Sequence, residues 1–227
     1  RSGKTSIQQV LFHKMAPKQA FYVEPTQRIT RHKYDTIIPL EIWDCPGTIE
    51  PSTVDLTQFA ALIFVIDIQD LYQAPISRLI DFIIKASEHN PALNLEVFVH
   101  KTEPLSDDYK IENFRQIQQR TLDELLDESE DYAQIPVNFH LTSVYDHSLH
   151  EAFSRVLQNK LVESLPYLED LLNVFVTNSQ SSKAFLFDIE SRIYVATDAS
   201  PVDAATYNLC CDYLKMLTSF GPLYKYV

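Results

Sequence analysis

Glycine lets a backbone turn left-handed or approach a ligand closely, and this chain has only three in 227 residues. Average usage of roughly 7% would give about sixteen, so each position is informative. Gly3 opens Gly3-Lys4-Thr5-Ser6, and Gly47 closes Asp44-Cys45-Pro46-Gly47 behind the apolar pair Ile42-Trp43. The first pattern starts a helix at a glycine-lysine turn. The second ends a buried strand at an acid followed by a Pro-Gly turn. Both geometries place backbone N–H groups, a lysine and hard oxygen ligands where phosphates and a divalent cation bind.

The bulk chemistry removes other classes of function. A net charge of −12 and a pI near 4.9 argue against nucleic acid, whose binding needs Lys and Arg to neutralise phosphates. The same acidity disfavours adsorption to anionic membranes. The longest apolar run, Ala60 to Ile66, falls far short of the roughly 20 residues of a spanning helix, so no direct membrane insertion is expected. Neither a signal peptide nor a prenylation box is legible, so membrane residence is expected to be borrowed from a partner. Cys45, Cys210 and Cys211 make an odd, partly adjacent set, a poor disulfide framework that favours a reducing, cytoplasmic setting. His147 and His150 lack the acids or thiols that would complete a metal set.

Strand-like apolar runs alternate with helix-like periodic ones, the mark of an α/β fold with a mostly parallel sheet. The strands are expected over 37–43, 60–67, 95–100 and 137–142, and the helices over 6–13, 76–88, 109–126 and 148–162, with Asp107-Asp108 capping the third. Trp43 is expected in the core. After Leu165 the rhythm changes to a helix over 167–176, a strand pair over 184–189 and 192–196, and a helix over 203–217. The expected division is therefore 1–165 for the α/β domain and 166–227 for a smaller α+β domain, with Pro166 at the boundary. The turn Glu190-Ser191 suits a hairpin only moderately, having no Gly or Asn for φ > 0. A phosphate loop normally follows a buried strand, whereas this chain opens at Arg1-Ser2-Gly3-Lys4. The N-terminus is accordingly expected to be incomplete, and so is the C-terminus, since a two-stranded ribbon plus helices is marginal alone.

Within the phosphate loop, Ser2, Gly3, Lys4, Thr5 and Ser6 supply N–H groups, the lysine reaches the β- and γ-phosphates, and the Thr5 hydroxyl ligates Mg²⁺. Asp44 at its strand end joins the metal shell, and Gly47 meets the γ-phosphate. Thr26, in a polar loop beyond, is the candidate switch threonine that senses both metal and γ-phosphate; an ordinary loop threonine is the plain alternative. Lys4 and Thr26 are thus the candidate catalytic residues, and Thr5, Thr26 and Asp44 the candidate metal ligands. Base contacts are expected from His100-Lys101-Thr102-Glu103, which stands where Ras-like GTPases carry Asn-Lys-x-Asp, and from Ser143 and Val144 after the last strand. A solvated loop glutamate remains the alternative for Glu103.

Segments such as Phe12-His13-Lys14-Met15, Leu105-Ser106-Asp107-Asp108 and Thr142 to Ser148 resemble the C/D-type Rag GTPases, fungal branch. Lys183 to Asp188, Ile193 to Asp198 and Leu209-Cys210-Cys211-Asp212 resemble their C-terminal roadblock-like domain. The resemblance spans nearly the whole chain. It implies a P-loop, Ras-like GTPase domain that binds GTP or GDP with Mg²⁺. It also implies a heterodimer with an A/B-type Rag GTPase, joined mainly through the C-terminal domains and tethered to the vacuolar or lysosomal surface by a membrane scaffold complex. Such pairs signal amino-acid sufficiency to TOR complex 1. Thr48 stands where many GTPases place a water-orienting Gln, so intrinsic hydrolysis is expected to be slow and helped by a GTPase-activating protein (GAP). The rival readings are a nucleotide-independent pseudo-GTPase scaffold, favoured by Glu103 and Thr48, and a P-loop kinase or ATPase.

Overall fold

A computed structural model describes residues 2–36, 38–159 and 164–224. Gly3 adopts φ 95° and ψ 13° at the cap of helix α1 (Lys4–His13), a left-handed turn that only glycine takes freely. Lys14, with φ 54°, closes that helix by returning its N–H to the Gln9 carbonyl. A short 3-10 helix follows at Pro17–Tyr22. Strands β1 (Thr30–Tyr34) and β2 (Leu40–Asp44) form a two-stranded sheet. The sequence reading missed β1 because Thr30-Arg31-His32-Lys33-Tyr34 is polar and mostly exposed, so it carries no apolar signature. The expected strand over 37–43 begins instead at Leu40, and Ile37 lies outside the described residues.

Strands β3 (Ala61–Asp67), β4 (Asn94–His100) and β5 (Val137–Thr142) form a parallel sheet in that order, as the apolar runs predict. Helix α2 (Gln73–His89) and helix α3 (Asp107–Glu128) connect them. Alternate residues of the strands, Leu62, Phe64 and Ile66 with Leu95, Val97 and Val99, meet Ile76, Leu79, Ile80 and Ile83 of α2 and Ile117 and Leu125 of α3 in one core. The α2 set recurs at i, i+3, i+4 and i+7, the spacing that lays one helix face on a sheet. Ser106, not Asp107 or Asp108, occupies the cap position of α3; the two acids lie in its first turn, where their charge meets the helix dipole.

The register of the sheet aligns Asp67 with His100 and His100 with Thr142. These three side chains therefore line one row at the carboxyl edge, where open α/β sheets place their sites. On the same face Glu96 is buried yet satisfied, by Asn94 at 2.8 Å, Asn138 at 3.1 Å and His140 at 2.7 Å. Burial alone pushes its carboxyl up, and those three partners more than offset it, holding the group below its ordinary value.

Trp43 is not a core residue. It is half-buried, stacks beneath the Arg31 guanidinium at 3.8 Å, meets Phe59 edge-on at 4.9 Å and donates Nε1–H to Glu41 at 2.8 Å. A cation and an acid on the two strands thus keep the indole at the surface.

Residues 1–33 and 41–152 form one compact unit, and 34–40 with 153–227 a second. The sequence rhythm placed the change at Pro166. Helix α4 (Ser148–Gln158) ends before the expected 162, and residues 160–162 lie outside the described set. In the second unit, helix α5 (Leu165–Ser179) packs on strand β7 (Ile193–Thr197). That strand pairs antiparallel with β6 (Phe185–Asp188) across a bulge at Leu186/Phe187. Phe185, Phe187 and Tyr194 gather on Tyr207 of helix α6 (Ala204–Tyr224). The positive φ that Glu190-Ser191 lacks is taken by Arg192 at 58°, while the Asp188 carboxylate accepts from the Ser191 N–H at 3.1 Å.

Candidate functional site

The turn at Gly3, the end of β2 and the polar loop carrying Thr26 bring three oxygens to one point. The Thr5 hydroxyl donates to Asp44 Oδ2 at 2.6 Å, the Thr26 hydroxyl donates to the same oxygen at 2.9 Å, and the two hydroxyl oxygens are 2.6 Å apart. Two hydroxyl protons serve three short contacts. One pair of oxygens therefore meets lone pair to lone pair, the crowding that a hard cation relieves. The donor set, two hydroxyls and a carboxylate, is oxygen only and suits Mg²⁺. Asp44 is 6% exposed, so its charge is largely withdrawn from water.

Lys4 stands beside this cluster. A Cβ placed on Gly47 would come 3.8 Å from Lys4 Nζ, so the ammonium lies against the Pro-Gly turn. Burial holds the Lys4 pKa below its ordinary value, partly offset by the Asp44 charge. A desolvated ammonium at that turn is matched to an anionic partner. Ser6 donates to the Ala20 carbonyl at 3.3 Å, tying the helix to the 3-10 segment that follows it. Ser2, half-buried, precedes the turn.

A second group forms at the carboxyl edge of β4 and β5. His100 is 2% exposed and pairs through Nδ1 with Thr142 Oγ1 at 2.9 Å. A Cβ on Gly3 would lie 2.9 Å from its Cδ2 and 3.3 Å from its Nε2, so the imidazole packs directly against the phosphate turn. Burial, with help from the Lys101 charge, lowers the His100 pKa to about 4, so the ring is neutral near pH 7. Lys101, at φ 64°, pairs with Asp67 at 2.5 Å, and Gln69 donates to its carbonyl at 2.9 Å. Glu103 accepts from the Ser143 hydroxyl at 2.7 Å, and that hydroxyl accepts from the Tyr145 N–H at 3.1 Å. Val144, 9% exposed, sits beside them. The longer acid therefore reaches the serine of the last loop.

The structure thus brings Gly3, Lys4, Thr5, Thr26, Asp44 and Gly47 together, and separately His100, Lys101, Glu103, Ser143 and Val144, with Gly3 touching both. Two participants escaped the sequence reading. Asp67 was recoverable as an acid closing a buried strand. Arg78 carried no signal: it lies inside the amphipathic pattern of α2, yet donates Nη1–H to the Gly47 carbonyl and Nη2–H to the Ile49 carbonyl at 2.6 Å.

Comparison with known proteins decides the family. The Gtr1/RagA G protein conserved region matches residues 1–214. The chain belongs to that family of GTPases. It is 46% identical to the GTP-binding protein gtr2 of Schizosaccharomyces pombe, over 99% of this chain and 72% of that one. It is 46% identical to the Ras-related GTP-binding protein C of Homo sapiens and 47% identical to the Ras-related GTP-binding protein D of Mus musculus. Those matches cover 99% of this chain but only 57% and 51% of the relatives. The Rag C/D branch, expected from the motifs, is the one its relatives occupy, and the parallel sheet is that of a Ras-like GTPase fold.

Proposed function

We propose that this Rag-family chain is a guanine-nucleotide switch that binds GTP or GDP with Mg²⁺ and turns GTP over slowly unless a GAP assists. The observation that carries the reading is the convergence of Thr5, Thr26 and Asp44 beside Lys4. Thr5, Thr26 and Asp44 would hold the cation, and when bound it supplies positive charge to the phosphate oxygens. Lys4 neutralises the same oxygens from the side of Gly47 and stabilises charge that builds during phosphoryl transfer. Thr26, on a loop, ties that loop to the site only while its hydroxyl is engaged, which supplies a switch. Thr48 is exposed beyond Gly47 and has no side-chain amide with which to orient water. Glu103, held by Ser143, is the acceptor for the guanine N1 and N2 donors.

The second unit supports a partner. Tyr167, Leu171, Val174 and Phe175 on α5, and Leu209, Tyr213, Met216, Leu217 and Phe220 on α6, are exposed at helical spacing. Apolar stripes of that extent suit a heterodimer formed with an A/B-type Rag GTPase through a roadblock-like domain. With that partner the chain would sit on the vacuolar or lysosomal membrane through a scaffold complex and signal amino-acid sufficiency to TOR complex 1.

The test is nucleotide extraction from the purified full-length protein, followed by competition of labelled GTP with GTP and with ATP. Bound GDP or GTP, displaced by GTP and not by ATP, is the expected result. An empty pocket would favour the nucleotide-independent scaffold, and displacement by ATP the kinase or ATPase reading.

A further inference from the structure

The segment after Gly47 is held by a side chain of helix α2. Ile49 N–H returns to the Pro46 carbonyl at 3.3 Å, closing a turn over Pro46 to Ile49. Arg78, projecting from the rigid helix α2, takes the two outward carbonyls of that turn, Gly47 and Ile49, with its two terminal nitrogens. A planar guanidinium suits such a paired grip. Because a trans peptide sets C=O and N–H in opposite directions, the N–H groups of Thr48 and Glu50 point away from Arg78. The side of Gly47 on which a Cβ would stand faces Lys4 Nζ. The same structure has Thr26 drawn onto Thr5 and Asp44, so the grip coexists with the closed arrangement of the switch oxygens.

We infer that Arg78 is a positioning residue of the switch: by fixing the Pro46–Ile49 turn against Lys4 it favours the triphosphate over the diphosphate. Its terminal nitrogens donate to backbone carbonyls of the turn. Its charge also bears on Lys4, whose pKa it helps to lower, so its loss leaves the lysine charged, and Arg78→Lys, which keeps a cation there, separates the grip on the turn from the field. The inference rests on the guanine-nucleotide reading and deepens it.

The experiment measures equilibrium affinity of the full-length protein for a non-hydrolysable GTP analogue and for GDP, in wild type, Arg78→Gln and Arg78→Lys. Arg78→Gln is expected to weaken the analogue about tenfold while moving GDP less than about twofold, the loss of charge-assisted hydrogen bonds being felt in one state. Arg78→Lys keeps the charge without the planar fork and falls between. Amide hydrogen exchange over residues 47–50, with the analogue bound, should speed up in Arg78→Gln. Equal weakening of both nucleotides, or an unchanged ratio, overturns the inference and leaves Arg78 a structural staple. If Arg78→Gln does not fold, Arg78→Lys with the same ratio and the same exchange as wild type overturns it too. A wild-type protein that binds neither nucleotide sinks the nucleotide reading itself.

Discussion

The two ends of the site are built in opposite ways. At the phosphate end, Thr5, Thr26 and Asp44 press their oxygens together with one proton too few, and Lys4 is desolvated beside them. At the base end, Lys101 has Asp67, Glu103 has Ser143, and His100 has Thr142. On the proposed reading the first set awaits a ligand, whereas the protein already supplies partners to the second. Substitutions at the phosphate end should therefore change binding and leave the unliganded fold alone, whereas those at the base end should register in the fold as well.

The largest effect that would break this contrast is expected from Thr5→Val, which keeps the shape and removes the hydroxyl. GTP affinity in Mg²⁺ should fall on the order of a hundredfold, since hydrogen bonds to charged groups are each worth about 1.5–3 kcal/mol. The melting temperature without ligand should stay put; a matching loss of unliganded stability would erase the distinction between the ends. Gly3→Ala tests the junction, because it meets both a strained φ of 95° and the His100 ring at 2.9 Å. It should cost on the order of 1–3 kcal/mol of stability, read by urea denaturation, along with nucleotide binding.

His100 gives the pH arm. Its folded pKa, about 4, lies below the ordinary 6.5, so between those values the unfolded chain binds the extra proton. Stability from this group is complete above pH 6.5 and is lost as pH falls toward 4. The loss is on the order of 3 kcal/mol. His100→Asn should flatten that part of the curve in denaturant titrations across pH 4 to 7, and an unchanged slope would place the titrating group elsewhere. The smallest effect belongs to Lys33–Glu41, an exposed pair at 3.6 Å on the first two strands. Lys33→Ala should shift stability by less than about 1 kcal/mol in the same assay, with most of that gone in high salt.

The phosphate end was legible because its residues are local: Gly3-Lys4-Thr5 and Asp44 to Gly47 each sit on one turn. The parallel strands were legible because burial on both faces leaves continuous apolar runs. Polar members inside those runs, such as Glu96 and His140, gave no warning that they would pair across two strands. The strand Thr30–Tyr34 was hidden for the opposite reason, having too little buried surface to impose an alternation. Trp43 misled because hydrophobicity argues for the core, while Arg31 and Glu41 hold it at the surface by contacts that only the paired strands create. Arg78 acts on backbone carbonyls 31 and 29 positions away, and no side-chain motif encodes such a grip.

The most direct test of the central claim, a guanine-nucleotide site whose phosphate end is completed by its ligand and Mg²⁺, is the equilibrium binding of GTP to the full-length protein with and without Mg²⁺, beside Thr5→Val. The account predicts tight binding in Mg²⁺, marked weakening on chelation, and a Thr5→Val protein that is already weak and barely responds to the metal. GTP affinity that is indifferent to Mg²⁺, or a Thr5→Val protein that keeps the full metal response, would contradict it.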